Sequence, residues 1–79
     1  MANSRLKNIL VEEGVLQSKI AVLAGLSAGT VNKATNGKRN PSPTTKAKIV
    51  IALNRAVEEV KGTAGTYEVS DIWPAEKKG

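Results

Sequence analysis

The first half of the chain repeats one pattern, in which apolar residues at helical spacing are followed by a glycine. The first apolar stripe comprises Leu6, Ile9 and Leu10. A spacing of three and four residues predicts a helix whose stripe faces the core. Gly14 follows that stripe, and glycine best tolerates the left-handed conformation that often ends a helix. Asn3 or Ser4 is the expected N-cap.

The segment Gln17 to Asn36 predicts two short helices joined by a tight turn. The first carries its apolar residues on one face: Ile20, Ala21, Leu23 and Ala24. Gly25 ends it, and Ser27 is a good N-cap for the second, which runs from Ala28 to about Thr35. The inward positions after the turn are Leu26, Val31 and Ala34. Two short helices joined by a turn that contains glycine constitute a helix-turn-helix.

A longer helix is predicted after the loop that follows. Ser42 is its N-cap and Pro43 its first residue, a position where proline is favoured. Its apolar positions recur at helical spacing: Ile49, Val50, Leu53, Ala56, Val57 and Val60. The helix either runs unbroken to about Lys61 or breaks near Asn54–Arg55, and the pattern leaves both open. Its apolar face is expected to close the core beneath the motif.

The C-terminal end begins with a link, residues 62–66, whose glycines and threonines predict flexibility. An apolar and aromatic cluster follows: Tyr67, Val69, Ile72 and Trp73. Ser70 is expected to cap a single helical turn that Pro74 stops. The cluster either docks on the domain's own core or forms a contact between two copies. Residues 75–79 read as a polar, frayed tail.

One set of spaced residues resembles the lambda-repressor-like family, also called the Cro/cI or XRE family: Gln17, Ala21, Gly25 and Val31, followed by the loop Asn36–Ser42. In that family a small residue lies where the two motif helices cross, a glycine forms the turn, and a β-branched residue packs the second helix on the first. The resemblance covers roughly residues 3–60. It implies a compact all-α domain of four to five helices over residues 1–74, with its core in 3–61 and a short extension in 62–74.

The resemblance also implies which residues contact DNA. The second motif helix would enter the major groove with four residues towards the bases: Ala28, Gly29, Asn32 and Lys33. Six residues would contact phosphates: Gln17, Ser27, Thr30, Asn36, Lys38 and Arg39. Chemistry agrees, since an alanine methyl can touch a thymine methyl and lysine can donate to guanine. Family members often carry a longer polar side chain at the position of Gly29. Glycine inside a helix costs roughly 1 kcal/mol, which close approach to DNA or helix packing would offset. Ordinary solvent-exposed surface is the alternative for each residue.

The charge of the chain adds weight to a nucleic-acid partner. The formal net charge is +5, and no acidic residue occurs between Glu13 and Glu58. That interval holds seven basic residues: Lys19, Lys33, Lys38, Arg39, Lys46, Lys48 and Arg55. A solvated basic face would have the same composition. Because the interval is centred on the helix-turn-helix, we interpret it as an electrostatic footprint for phosphate.

Enzymatic chemistry is poorly supported. The chain has no histidine and no cysteine, so it lacks the usual parts of nucleophile–base pairs and metal sites. The neighbouring pair Glu12–Glu13 is expected to be solvated surface, because adjacent residues on a helix do not face each other. Gly37–Lys38 is reminiscent of a phosphate-binding loop, but Asn32 stands where its first glycine belongs and Arg39 where serine or threonine belongs. No cofactor and no metal are expected.

These observations predict a DNA-binding transcriptional regulator, a repressor of Cro/cI type, acting on double-stranded DNA as a homodimer. The candidate dimer interface is the C-terminal third, because the apolar residues of the first three helices are expected to be used in the core. The alternative is an antitoxin, in which the aromatic cluster also covers a toxin. No apolar run approaches the ~18 residues of a membrane span and no signal-peptide pattern is present, so we expect a cytoplasmic protein, prokaryotic or phage-encoded.

Overall fold

The computed structural model describes residues 5–36 and 41–73, which form five α-helices and, within those ranges, no β-strand. The helices are α1 (Leu6–Glu13), α2 (Gln17–Ala24), α3 (Ala28–Thr35), α4 (Pro43–Lys61) and α5 (Val69–Ile72). The predicted all-α fold is confirmed. Both predicted motif helices have the bounds that the sequence indicated. Helix α4 is unbroken, which decides between the two alternatives for that segment.

Helices α1 and α2 end in the same backbone motif. Gly14 has φ +72° and Gly25 has φ +70°, and both are in the left-handed region that only glycine adopts without strain. The N–H of the residue after Gly25, Leu26, donates to the Ala21 carbonyl at 3.0 Å. Val15, after Gly14, makes the equivalent bond at the end of α1. These bonds satisfy carbonyls that the helix leaves open and turn the chain sharply.

Helices α3 and α4 begin at the predicted serine caps. The Ser27 hydroxyl accepts from the Thr30 N–H at 3.2 Å, and the Ser42 hydroxyl accepts from the Thr45 N–H at 3.3 Å. Helix α1 has no such cap, because Arg5 occupies its N-cap position without a side-chain bond. Asn3 and Ser4, which the sequence indicated, lie outside the described residues.

The core lies where α2 packs against α3 and α4 and is closed by α1 and α5. Its largest fully buried side chains are Leu6, Ile20, Val31, Ile49, Leu53, Ile72 and Trp73. One prediction for α4 is wrong, since Val60 is 57% exposed while Ala52 is buried in the core. All residues of the last turn, 58–61, are exposed. None of the described helices is long and apolar enough to cross a membrane.

The C-terminal extension packs on the core, because Ile72 and Trp73 are almost completely buried. This excludes those two side chains from a contact between copies. The Arg5 N–H donates to the Ile72 carbonyl at 2.8 Å and so ties the extension to the start of α1. The prediction that Ser70 caps this turn is wrong. Glu68 is the N-cap, and its N–H donates to the Asp71 carboxylate at 2.8 Å. Pro74 lies outside the described residues.

The side chain of Asn54 holds the extension against α4. Its Nδ2 donates to the Tyr67 carbonyl at 3.1 Å, and its Oδ1 accepts from the Tyr67 N–H at 2.9 Å. The N–H of Gly65 donates to the Asn54 carbonyl at 3.3 Å. A Cβ at Gly65 would lie 2.7 Å from Asn54 Oδ1, so the close approach requires glycine. The link, residues 62–66, therefore contacts α4 at Gly65.

Glu13 is not the solvated surface residue that the sequence predicted. Its side chain is 11% exposed, and one carboxylate oxygen accepts from the Tyr67 hydroxyl at 2.5 Å. The other oxygen lies 2.7 Å from Lys61 Nζ. The Lys61 ammonium, followed by the tyrosine hydroxyl, lowers the pKa of Glu13. The same bond to the carboxylate raises the pKa of Tyr67 to about 12. The cluster joins the ends of α1 and α4 to the extension.

Candidate nucleic-acid interface

The two faces of α3 differ sharply in burial. Its inner face is fixed by Val31, Ala34 and Thr35, which are all at most 2% exposed. The Thr35 hydroxyl donates to the Val31 carbonyl at 2.7 Å, which satisfies a polar group that burial would otherwise penalise. The sequence did not single out Thr35 as a core residue. With this face anchored on α1 and α2, the opposite face of α3 has a fixed orientation towards solvent.

The outer face of α3 carries the predicted DNA-contacting residues in one exposed group: Ser27, Ala28, Gly29, Thr30, Asn32, Lys33 and Asn36. Gln17, at the start of α2, is half-buried beside them and bonds to Asn32. The structure thus brings together eight of the ten predicted contact residues. The remaining two, Lys38 and Arg39, lie outside the described residues.

A chain of three side-chain amides crosses this surface. Asn36 Nδ2 donates to Asn32 Oδ1 at 3.1 Å, and Asn32 Nδ2 donates to Gln17 Oε1 at 3.3 Å. The second bond joins residues 15 positions apart and therefore connects α3 to α2. The sequence placed all three residues at the site but gave no signal that they bond to one another.

Gly29 faces open space in the first turn of α3. A Cβ built on it would meet nothing within 4 Å, so helix packing does not account for glycine at this position. A shallow depression lies there, lined by Gln17, Ser18, Ala28, Gly29 and Asn32. Ala28 and Gly29 add little side-chain volume to it, and none of its lining residues is charged. A partner could approach the backbone closely at this point.

The basic interval seen in the sequence is not uniform in space. Lys46 is 4% exposed, and its Nζ lies 5.3 Å from the centroid of the Trp73 ring, so this lysine belongs to the core boundary and not to a phosphate footprint. Lys19 pairs with Glu59 at 2.7 Å on the surface. Lys33, Lys48 and Arg55 are exposed. The sequence interval without acidic residues therefore overstates the positive charge of the surface, because folding brings Glu59 next to Lys19.

Apolar surface is exposed where the sequence predicted none. The expectation that α1 to α3 use all their apolar residues in the core is wrong, because Val11 and Val22 are more than 70% exposed, as is Leu16 at the N-cap of α2. On α4, Ile51 and Val60 are also exposed. The last turn of α4 thus keeps one apolar side chain, Val60, for a contact, while Ile51 lies on the opposite face of the helix and Ile72 and Trp73 are buried. Burial also takes Ile72 and Trp73 out of the cluster named for a toxin-binding surface, while Tyr67 and Val69 are half-buried.

Within residues 5–36 and 41–73 no group of three acidic, histidine or cysteine side chains could hold a metal ion. No curated protein shows a significant match to the chain. The sequence profile of the helix-turn-helix family matches residues 6–60, the span that contains α1 to α3 and nearly all of α4. The matched part includes every described residue of the exposed surface on α2 and α3. The chain therefore belongs to the helix-turn-helix family of the XRE, lambda-repressor-like type, and is a DNA-binding domain of that family.

Proposed function

We propose that the protein is a sequence-specific transcriptional repressor of Cro/cI type that inserts α3 into the major groove of double-stranded DNA. The observation that carries the proposal is the contrast within α3. Its inner face is completely buried, and its outer face presents only small, polar or basic side chains. A helix held in this way can enter a groove without rearranging the core.

The proposed contacts fall into two groups. Ala28, Gly29, Asn32 and Lys33 face the base edges, where Lys33 donates to guanine and the Ala28 methyl packs on thymine. The second group contacts the phosphates and sets the register of the domain: Gln17, Ser27, Thr30, Asn36, Lys38 and Arg39. Only contacts of the first kind distinguish sequences, so Lys33 carries most of the direct readout.

The repressor acts as a homodimer in this proposal, because one short helix reads only a few base pairs. Two copies on a two-fold site would place their half-sites about 34 Å apart, which is one turn of DNA. Val60, exposed in the last turn of α4 and next to the exposed Leu16, makes that end of the helix the candidate contact. Such a regulator would act in the cytoplasm of a prokaryotic host, on its own or a phage's operator.

Selection of binding sites from random DNA tests the proposal. The expected result is an inverted repeat with half-sites one helical turn apart, bound with a salt slope of about −0.9 per phosphate neutralised. Lys33→Ala should change the base preferred at one position at a cost of about 1–3 kcal/mol, while Lys48→Ala, on exposed α4 surface, should not. Recovery of no consensus, or an affinity that does not depend on salt, would contradict the proposal.

A further inference from the structure

The side-chain hydrogen bonds that link Asn36, Asn32 and Gln17 run in one direction, because each amide nitrogen donates to the oxygen of the next amide. Asn32 uses its oxygen towards Asn36 and its nitrogen towards Gln17. Gln17 accepts through Oε1, so with respect to residues 5–36 and 41–73 both hydrogens of its own NH₂ group remain for another partner. The series of hydrogen bonds between these amides therefore ends at the NH₂ group of Gln17, which is a hydrogen-bond donor. Phosphate oxygens only accept, and a donor is what they require.

We propose that Asn32 is a positioning residue, which holds the Gln17 amide with its NH₂ group towards a DNA phosphate and does not itself read a base. The inference rests on the proposed function, because it assumes that DNA lies against this surface. It replaces two of the contacts proposed above, the base contact of Asn32 and the phosphate contact of Asn36, and assigns the three amides different roles. Gln17 makes the contact, Asn32 orients Gln17, and Asn36 orients Asn32 from the next turn of the same helix.

Backbone geometry supports this order. Asn36 follows Asn32 by four residues, so the two side chains lie on the same face of α3. The Asn36 N–H also donates to the Asn32 carbonyl at 3.0 Å, which fixes the end of the helix beneath the side-chain bond. Asn36 thus fixes the oxygen end of the Asn32 side chain. The nitrogen end of Asn32 can then hold the longer and otherwise mobile side chain of Gln17.

The energetic reason for such a residue is conformational entropy. A glutamine side chain that must be ordered when it binds loses affinity, by about two- to tenfold for one rotamer-rich side chain. If the bond to Asn32 orders Gln17 before DNA arrives, that loss is avoided. Removal of Asn32 should then weaken binding to every sequence by a similar factor, because a phosphate contact carries no sequence information.

The first measurement concerns the free protein and needs no DNA. NMR relaxation of the Gln17 side-chain NH₂ group should show a restricted amide in the wild type and a more mobile one in Asn32→Ala. Lys33→Ala is the matched control, since it truncates the neighbouring exposed side chain and should leave the Gln17 amide restricted. Thermal unfolding of both variants should stay cooperative, because both residues lie on the exposed face of α3.

The second measurement is a double-mutant cycle of affinity for the selected site and for random DNA. Gln17→Ala should weaken both by roughly 10- to 150-fold, the value of one hydrogen bond to a charged group. Asn32→Ala should weaken both by two- to tenfold, and the double variant should bind no more weakly than Gln17→Ala alone. For Lys33→Ala combined with Gln17→Ala, the two factors should multiply.

The outcomes separate this inference from the proposed function. A Gln17 amide that is equally mobile in the wild type and in Asn32→Ala overturns the positioning role, whatever the DNA experiments give. Multiplicative losses for Gln17→Ala and Asn32→Ala, or a changed base preference in Asn32→Ala, also overturn it and make Asn32 a direct contact, while the repressor proposal stands. A wild-type protein that binds DNA but selects no sequence overturns the repressor proposal and leaves the phosphate role of Gln17 standing, whereas one that binds no DNA overturns both.

Discussion

The helix-turn-helix and the C-terminal extension are held in place by opposite means. The motif, residues 17–36, is shaped by contacts between near neighbours, such as the Gly25 turn and the Ser27 cap. The extension, residues 62–73, has one helical turn and depends on distant partners. Tyr67 bonds to Asn54 and to Glu13, which lie 13 and 54 positions away in the chain. Local contacts thus shape the exposed surface, and distant contacts close the core behind it.

This difference implies that stability and recognition are separable in the molecule. Changes in the extension should lower the free energy of unfolding without changing which DNA is preferred. Changes on the outer face of α3 should alter DNA binding with little effect on folding, because those side chains contact few core residues. The predictions below test that division, beginning with the largest expected effect.

Truncation after Lys61 should unfold the domain. It removes Ile72 and Trp73, and replacing such buried side chains by alanine costs about 2–5 and 3–5 kcal/mol respectively. The sum is comparable to the whole free energy of unfolding of a small domain. Circular dichroism should therefore show no cooperative thermal transition in the truncated chain.

Two single substitutions control for the truncation. Trp73→Ala in the full chain should lower the free energy of unfolding by about 3–5 kcal/mol. Val22→Ala should change it by about 0.5 kcal/mol or less, since Val22 is 76% exposed. A truncated chain that unfolds cooperatively at the full-length temperature would show that the extension is not part of the core.

Asn54→Ala should destabilise the protein by about 1–3 kcal/mol, because the Tyr67 N–H and carbonyl both lose their partner in a half-buried place. Urea unfolding measures this change, and Arg55→Ala, at the adjacent exposed position, should be nearly neutral. At temperatures where both variants are folded, their affinity for DNA should equal that of the wild type. A selective loss of affinity in Asn54→Ala would show that the extension also affects the motif.

The difference between local and distant contacts also explains which features could be predicted from the sequence. The bounds of α2 and α3 follow from Gly25 and Ser27, whose conformational preferences act within a few residues. The roles of Asn54 and Lys46 do not follow, because an asparagine or lysine in a helix reads as surface until its distant partner is known. Glu13 was interpreted as solvated for the same reason. The candidate DNA surface was predicted as a set of residues, but its amide bonds depend on how α2 and α3 cross.

Gly29→Ala should raise stability while it weakens DNA binding. The new methyl group meets nothing within 4 Å, and alanine is favoured over glycine in a helix by roughly 1 kcal/mol. If DNA approaches the backbone at this depression, the same methyl group occupies the space and affinity falls. Asn8→Ala, on the exposed face of α1, is the matched control, which should stabilise the fold and leave affinity unchanged. Unchanged affinity in Gly29→Ala would mean that no close approach occurs there.

The smallest effect concerns the pH dependence of stability, which the cluster of Glu13, Lys61 and Tyr67 should govern at both extremes. Lys61 and then Tyr67 lower the pKa of Glu13, so its contribution is present above the ordinary carboxylate range. That contribution is lost as the pH falls through the lowered value. Tyr67 has the opposite sign, because its pKa is raised to about 12 by the hydrogen bond to Glu13. Its contribution is complete below about pH 10 and disappears as the pH rises from about 10 through about 12.

Tyr67→Phe isolates the hydroxyl. Tyr67 is the only tyrosine of the chain, so tyrosinate absorbance in the folded wild type reports its pKa directly. Urea unfolding measured at a series of pH values should show a stability loss in the alkaline range that is larger in the wild type than in Tyr67→Phe. If the tyrosine of the folded protein titrates near its ordinary value of about 10, the bond to Glu13 does not persist in solution and the extension is held by its other contacts, those of Asn54, Ile72 and Trp73 among them.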